Sequence, residues 1–259
     1  MPMTPKEMIK YLKKIKIWGE LIMNFIIKNL SKSFDKKLVL SDVNFNFESG
    51  KIYGLLGRNG SGKTTFFNCV NNDLEPDTGK FFIQETTEEA KRELKPDDIG
   101  YVISTPTVPE FLTAREFLKF YIDVNAHRIK NVPDLDECFD IIGIDEYDRD
   151  RLLKDFSHGM KNKMQMLINI ITKPAILLLD EPLTSLDVVV AEEMKQILRG
   201  LKNDSIVIFS THILELALDL CDEIIILNHG TFELVDKSDL DNSNFKERII
   251  EILKEAENA

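Results

Sequence analysis

The chain has 259 residues, enough for one large domain or two small ones, and its 43% hydrophobic and 30% charged content is that of a globular protein with ample core. A net charge of −11 and a sequence pI of about 5.0 argue against a nucleic-acid-binding surface over the whole molecule. No uninterrupted apolar run approaches the ~20 residues that span a bilayer, and the separated Cys69, Cys138 and Cys221, with no C-x-x-C pair, read as reduced core cysteines.

Residues 1–22 carry five lysines against Glu7 and Glu20, a local charge of +3, and the single tryptophan, Trp18. Two readings stand: a basic amphipathic helix touching anionic lipid or a membrane partner, or translation that begins at Met23, where the ordered pattern starts. Strand patterns follow at 25–30 and 43–47, the second alternating apolar and polar residues as an antiparallel strand with one wet face does. Between them Phe34 offers a π-face on which adenine can stack; taken alone it is a core phenylalanine.

The apolar run Ile52–Leu56 leads into Gly57-Arg-Asn-Gly-Ser-Gly-Lys-Thr64, a complete G-x-x-x-x-G-K-T phosphate loop, with a predicted helix over 63–70. Gly57, Gly60 and Gly62 let the backbone curl, so that successive N–H groups of Arg58, Asn59, Gly60, Ser61, Gly62 and on to Thr65 turn toward phosphate oxygens. Lys63 adds a cation for the β- and γ-phosphates, and Thr64 offers a hydroxyl to Mg²⁺. The helix N-terminus contributes its partial positive charge. Strand, loop and helix together predict binding of a nucleoside triphosphate.

Residues 71–79 form a turn cluster, followed by strand patterns at 81–83 and 99–103 and a proline-bounded loop at 105–109. Helical patterns at 113–121, 134–142 and 147–155 make the block from about 111 to 172 read as an all-helical insertion. Ser157 stands where an N-cap belongs for the stripe Met164, Leu167, Ile168 and Ile171, with Gly159 in the first turn. Such a helix start is a natural anion site, though alone it is only a capped helix. Next, Ala175–Leu179 reads as a strand buried on both faces that delivers Asp180 and Glu181 at its C-terminal end, where open α/β sheets place their ligands. Asp180 is positioned to orient Mg²⁺, and Glu181 to align or deprotonate an attacking water. A strand at 205–209 brings His212 to the same edge. A strand pair at 223–227 and 232–235 and a charged helix near 244–255 complete the chain.

In order and spacing these stretches resemble the nucleotide-binding subunit of ABC transporters across nearly all of residues 24–240. The motifs are the phosphate loop Gly57–Thr64, the signature Phe156-Ser-His-Gly-Met160, Ile176–Asp180 with Glu181, the Ser185-Leu186-Asp187 segment, and His212. The resemblance implies an α/β fold: a P-loop NTPase with a mixed sheet core, an N-terminal antiparallel β-subdomain and an all-helical insertion. It implies three parts, an extension over 1–22, an ATPase domain over 23–240 with its helical subdomain at about 111–172, and a C-terminal helix within 241–259.

The same resemblance implies an ATPase that uses ATP and Mg²⁺. Glu181 is then the catalytic carboxylate, His212 the γ-phosphate sensor and Lys63 the phosphate cation, with Thr64 and Asp180 on Mg²⁺ and Phe34 on adenine. Ser157 and Gly159 contact the γ-phosphate of ATP held by a second subunit, with Asp187 across that interface. The implied partners are a second ATP-binding subunit, identical or a close paralogue, and a membrane-embedded permease; no nucleic acid is expected. The signature variant is similar to that of an exporter class with a separate permease, which places the protein in the cytoplasm, peripheral on the inner face of the cell membrane. The alternatives are a cytosolic ABC-type ATPase, such as one for iron–sulfur cluster assembly, and a module that clamps ATP without turnover. One position departs from the family: Ser104 stands where a glutamine usually touches Mg²⁺, and Gln84, Gln165 and Gln196 lie elsewhere in the sequence. Slower or less tightly coupled hydrolysis is expected from it.

Overall fold

The computed structural model describes residues 23–85, 90–129, 134–184, 186–202, 204–235 and 249. The expected extension over 1–22, Ser185 and, apart from Ile249, the expected C-terminal helix lie outside the described residues. Two sheets are built around the phosphate-loop strand. The first is antiparallel: β1 (Met23–Phe34), β2 (Lys37–Glu48), β4 (Thr78–Glu85) and β5 (Arg92–Glu93) stand in the order β2-β1-β4-β5. The second comprises β3 (Ile52–Leu56), β6 (Ile99–Val102), β7 (Ile176–Asp180), β8 (Ile206–Thr211), β9 (Glu223–Asn228) and β10 (Thr231–Val235), in the order β10-β9-β3-β8-β7-β6. All its pairings are parallel except β10 on β9, so the sheet is mixed as expected.

The first two strands are longer than their apolar patterns. β1 and β2 form a continuous hairpin whose two connecting residues, Asp35 and Lys36, both have positive φ (44° and 72°). That geometry suits a tight hairpin, yet the sequence Asp-Lys lacks the glycine that normally announces it. Register shifts at Asn29 and Asp42, again both at positive φ, further obscure the alternation. The hairpin carries Phe34 at its tip.

Seven helices are described: α1 (Lys63–Val70), α2 (Ala114–Val124), α3 (Leu135–Ile141), α4 (Glu146–Arg149), α5 (His158–Ile171), α6 (Val188–Leu201) and α7 (Leu214–Leu220). α2 starts at a reciprocal cap, Thr113 Oγ1 accepting from Glu116 N and Glu116 Oε2 accepting from Thr113 N. The expected helix over 147–155 is a correction. It is the short α4 followed by a separate 3₁₀ turn at Leu153–Asp155. Residues 151–153 are drawn out of helical geometry because Ala114 N donates to Arg151 O, Leu153 N donates to Leu112 O, and Leu152 bridges Thr113.

The central sheet is a wall between two cores. Ile176 and Leu178 of β7, with Tyr53 and Leu55 of β3, face a cluster with Phe25, Phe47, Phe66 and Phe67. Leu177 and Leu179, with Ile52 and Leu56, face the cluster that holds the buried apolar residues of α2, α3, α5, α6 and α7. The period-2 alternation of strand side chains makes this division. It also explains why these strands read as unbroken apolar runs.

Candidate nucleotide-binding and hydrolysis site

Three parallel strands, β3, β7 and β8, end side by side, with Leu56 opposite Thr211 and Asp180 opposite Ser210. Their C-terminal edge gathers the polar groups. From β3 the chain turns into the phosphate loop, where Gly57 N donates to Thr211 O at 3.3 Å and so ties the loop to β8. A Cβ on Gly57 would come within 2.5 Å of Ser61 Oγ, and Gly62 holds φ at +108° with Val39 Cγ1 only 2.8 Å from where its Cβ would stand. Glycine at 57 is favoured by close approach, with Leu227 O also 3.1 Å from the same Cβ position, and at 62 by backbone conformation as well.

Gly62 caps α1 without any side-chain hydrogen bond. The first-turn N–H groups are left without the side-chain partner that those of α2, α3, α5 and α6 receive. Ser61 Oγ is a buried side-chain oxygen without a hydrogen-bond partner among the described residues. Lys63 is 6% exposed, and its ammonium donates to Gly57 O (2.7 Å) and Arg58 O (3.1 Å), 3.7 Å from Glu181 Oε1. Burial pulls its pKa below the usual lysine value, with Glu181 and Asp180 pulling the other way. Uncapped amides, an orphan hydroxyl and a buried cation make an anion cradle. Arg58, Asn59 and Gly60 form its exposed rim, and Thr65 lies half-buried in the first turn of α1.

Thr64 Oγ1 donates to Asp180 Oδ2 at 2.8 Å, which places one hydroxyl and one carboxylate together beside the cradle. No group of three or more His, Cys, Asp or Glu able by itself to hold a metal ion occurs among the described residues. Two hard oxygens, with water and phosphate to complete the shell, are the donor set that Mg²⁺ accepts in nucleotide sites. Glu181 follows Asp180 with φ at +50°, a conformation that costs a non-glycine residue about 1–3 kcal/mol. Its carboxylate is met by His212 Nδ1 at 2.8 and 3.0 Å and by Thr184 Oγ1, which donates at 2.9 Å. With the carboxylate ionised, Nδ1 carries the proton and donates.

The remaining expected residues lie outside this hydrogen-bonded group. Phe34 is 44% exposed, with Lys32 Nζ 5.5 Å from its ring centroid. Ser157 caps α5, its Oγ accepting from Met160 N at 3.2 Å. Asp187 caps α6, Oδ1 accepting from Val189 N and Val190 N at 3.0 Å each. A Cβ on Gly159 would meet only ordinary contacts, Val190 Cγ1 at 3.4 Å and Leu186 Cδ2 at 3.7 Å, so packing within the chain does not require glycine there. Ser104 is exposed, two residues past β6.

Sequence reasoning missed three partners. Ser210 and Thr184 both hold Glu181, and the equal ends of the β7 and β8 runs were the available signal for Ser210. The third is Gln165. It is buried on α5, and with its amide turned so that donor meets acceptor, it donates to Ile103 O (3.3 Å) and accepts from Ile103 N (3.1 Å). The sequence places no glutamine near Ser104, yet the fold brings one to the residue before it.

The ABC transporter family model matches residues 40–184, more than half of the chain. The chain belongs to the ABC transporter ATP-binding family. It is 31% identical over 214 residues to the lantibiotic transport ATP-binding protein SrtF of Streptococcus pyogenes, covering 82% of this chain and 90% of that protein. It is 30% identical over 218 residues to the sulfate/thiosulfate import ATP-binding protein CysA of Synechocystis, covering 82% of this chain and 60% of that protein. A solved ATP-binding subunit of an ABC transporter superposes with a TM-score of 0.71 at 25% identity, covering 88% of this chain and 98% of that one. This ABC protein has the P-loop NTPase fold, with the antiparallel sheet at its N-terminal end. It is an ATP-binding subunit and an ATPase.

Proposed function

We propose that this ATPase closes on a second ATP-binding subunit around two ATP molecules and drives a membrane-embedded permease that exports its substrate. The observation that carries the proposal is the separation of polar groups within one chain. Lys63, Thr64, Asp180, Glu181 and His212 are joined at one sheet edge, while the signature serine and glycine stand apart at the start of α5. A site divided in this way is completed by a second copy that presents Ser157 and Gly159 to the γ-phosphate, with Asp187 lying across the contact. Among the described residues no helix is long and apolar enough to cross a membrane, and on this reading the permease is a different chain. Transport is supported by SrtF and CysA, both named as ATP-binding proteins of transporters. Their identities to this chain are nearly equal although CysA is named for import, so export rests on the Phe-Ser-His-Gly-Met signature.

Within the site, the N–H groups of the loop and the Lys63 ammonium hold the β- and γ-phosphates, and Phe34 stacks on adenine. Thr64 and Asp180 would hold Mg²⁺, and Ser104, shorter than the glutamine usual in the family, would act on it through a water. When bound, Mg²⁺ neutralises charge on the phosphate oxygens. Glu181 aligns the attacking water and takes its proton as the water oxygen bonds to phosphorus and the bond to the β-phosphate oxygen breaks. His212 orients Glu181 through Nδ1–H and keeps Nε2 for the γ-phosphate.

The test is to purify Glu181→Gln from detergent-solubilised membranes with ATP present and identify the proteins that accompany it. A stoichiometric multi-span permease is expected. Soluble partners alone, with the protein absent from membranes, overturn the transport role and favour a cytosolic ABC-type ATPase.

A further inference from the structure

We propose that Ser210 is a positioning residue for hydrolysis, one buried hydroxyl that fixes Asp180 and Glu181 in a single geometry. Ser210 is fully buried on β8, directly opposite Asp180. Its O–H donates to Asp180 Oδ1 at 2.5 Å, and the same oxygen accepts from Glu181 N at 3.0 Å. The hydroxyl proton is committed to one carboxylate and a lone pair to the backbone of the next residue.

Glu181 sits at positive φ, and such a conformation persists only where its surroundings hold it. Thr184 N donates to its carbonyl and Thr184 Oγ1 to its carboxylate, while His212 Nδ1 faces the same carboxylate. Ser210 grips the remaining backbone group, the N–H, and of these partners only Ser210 also bonds Asp180. The four residues before it, Ile206 to Phe209, are buried and apolar. An alanine at 210 would continue that wall at little change in volume, so the hydroxyl adds orientation rather than packing. The same strand ends in Thr211, whose carbonyl accepts from Gly57 N, and His212 follows it directly. The end of β8 and the residue after it thereby join the phosphate loop, the Mg²⁺ carboxylate and the hydrolytic carboxylate through three consecutive residues.

The inference rests on the ATPase reading and is tested on the full-length protein. Ser210→Ala is expected to lower kcat at least ~10-fold while KM for ATP stays within about twofold, the pattern of lost alignment rather than lost binding. Deuterium uptake at the Glu181 amide should rise, a readout independent of turnover, and Ser210→Thr, which keeps the hydroxyl, should recover most of kcat. In a Glu181→Gln background, adding Ser210→Ala should cost less than about twofold, because residues acting as a unit are not additive. A kcat within twofold of wild type for Ser210→Ala, or unchanged exchange at Glu181, overturns the role. If wild type and Glu181→Gln turn over equally, the ATPase reading fails first and the positioning role falls with it.

Discussion

Two regions of this molecule carry the residues proposed to meet phosphate, and they are built on opposite plans. At the edge of β3, β7 and β8, every ionisable group has a partner delivered by another strand or loop: Thr64 on Asp180, His212 on Glu181, Lys63 on the loop carbonyls. At the starts of α5 and α6, the side-chain hydrogen bonds of Ser157 and Asp187 among the described residues go to the first turn of their own helices. The first plan fixes chemistry within one chain. The second fixes only the direction in which a helix begins, and leaves glycine at 159 where packing would accept a methyl group. A residue that the fold does not need, beside a cap that the fold does need, fits the proposal that this surface is completed from outside the chain.

The largest expected effect tests the first region. Glu181→Gln should reduce steady-state phosphate release by about 10²–10⁴-fold, the usual worth of a general base, with ATP binding by equilibrium titration preserved. Loss of binding instead would assign Glu181 to holding nucleotide. Gly159→Ala addresses the contrast itself. The variant should melt no lower than wild type, since alanine is favoured over glycine in a helix by up to about 1 kcal/mol. Its ATPase activity should nevertheless fall at least ~10-fold, because a methyl group intrudes where the second subunit's phosphate approaches. Full activity would return α5 to being an ordinary capped helix.

Ser157 separates capping from anion contact. Ser157→Ala should cost about 1 kcal/mol in denaturant unfolding, whereas Ser157→Asp should keep the cap. Its added carboxylate should still prevent ATP-dependent dimerisation, read by size exclusion; an intact dimer would deny Ser157 any role in phosphate binding. The smallest effect concerns Ser104. Ser104→Gln should raise ATPase rate or transport coupling by a few-fold, on the order of 1 kcal/mol or less in barrier height. No change in either quantity would mean that this position is not limiting.

The nucleotide site was legible because phosphate chemistry uses contiguous residues: the loop over 57–64 and the Asp180-Glu181 pair each announce themselves within a few positions. What joins them was not. Ser210 meets Asp180 across 30 residues of sequence, and that contact exists only through the register of β7 on β8. Gln165 lies far along the chain from Ser104, yet α5 packs its amide onto Ile103. The hairpin tip at Asp35-Lys36 adopts positive φ without glycine, so the strands flanking it read as shorter than they are. The helical pattern over 147–155 was real over its first turn and was then overridden by backbone bonds to residues 110–114. Local chemistry survived into the structure; distant pairing had to be seen.

The order of synthesis runs against the order of the site. β3 pairs with β8 and β9 through Ile52↔Val207 and Tyr53↔Glu223, partners 155 and 170 residues downstream. At about 5–20 residues per second, a ribosome takes roughly 10–30 s to supply them. During that interval β1, β2 and β4 can already pair, since they need only one another. β3 meanwhile stays an apolar segment with both edges open, the kind of strand that nascent chains must keep from aggregating. A chain halted before residue 206 carries the phosphate-loop sequence without Thr211, the carbonyl that anchors Gly57 N.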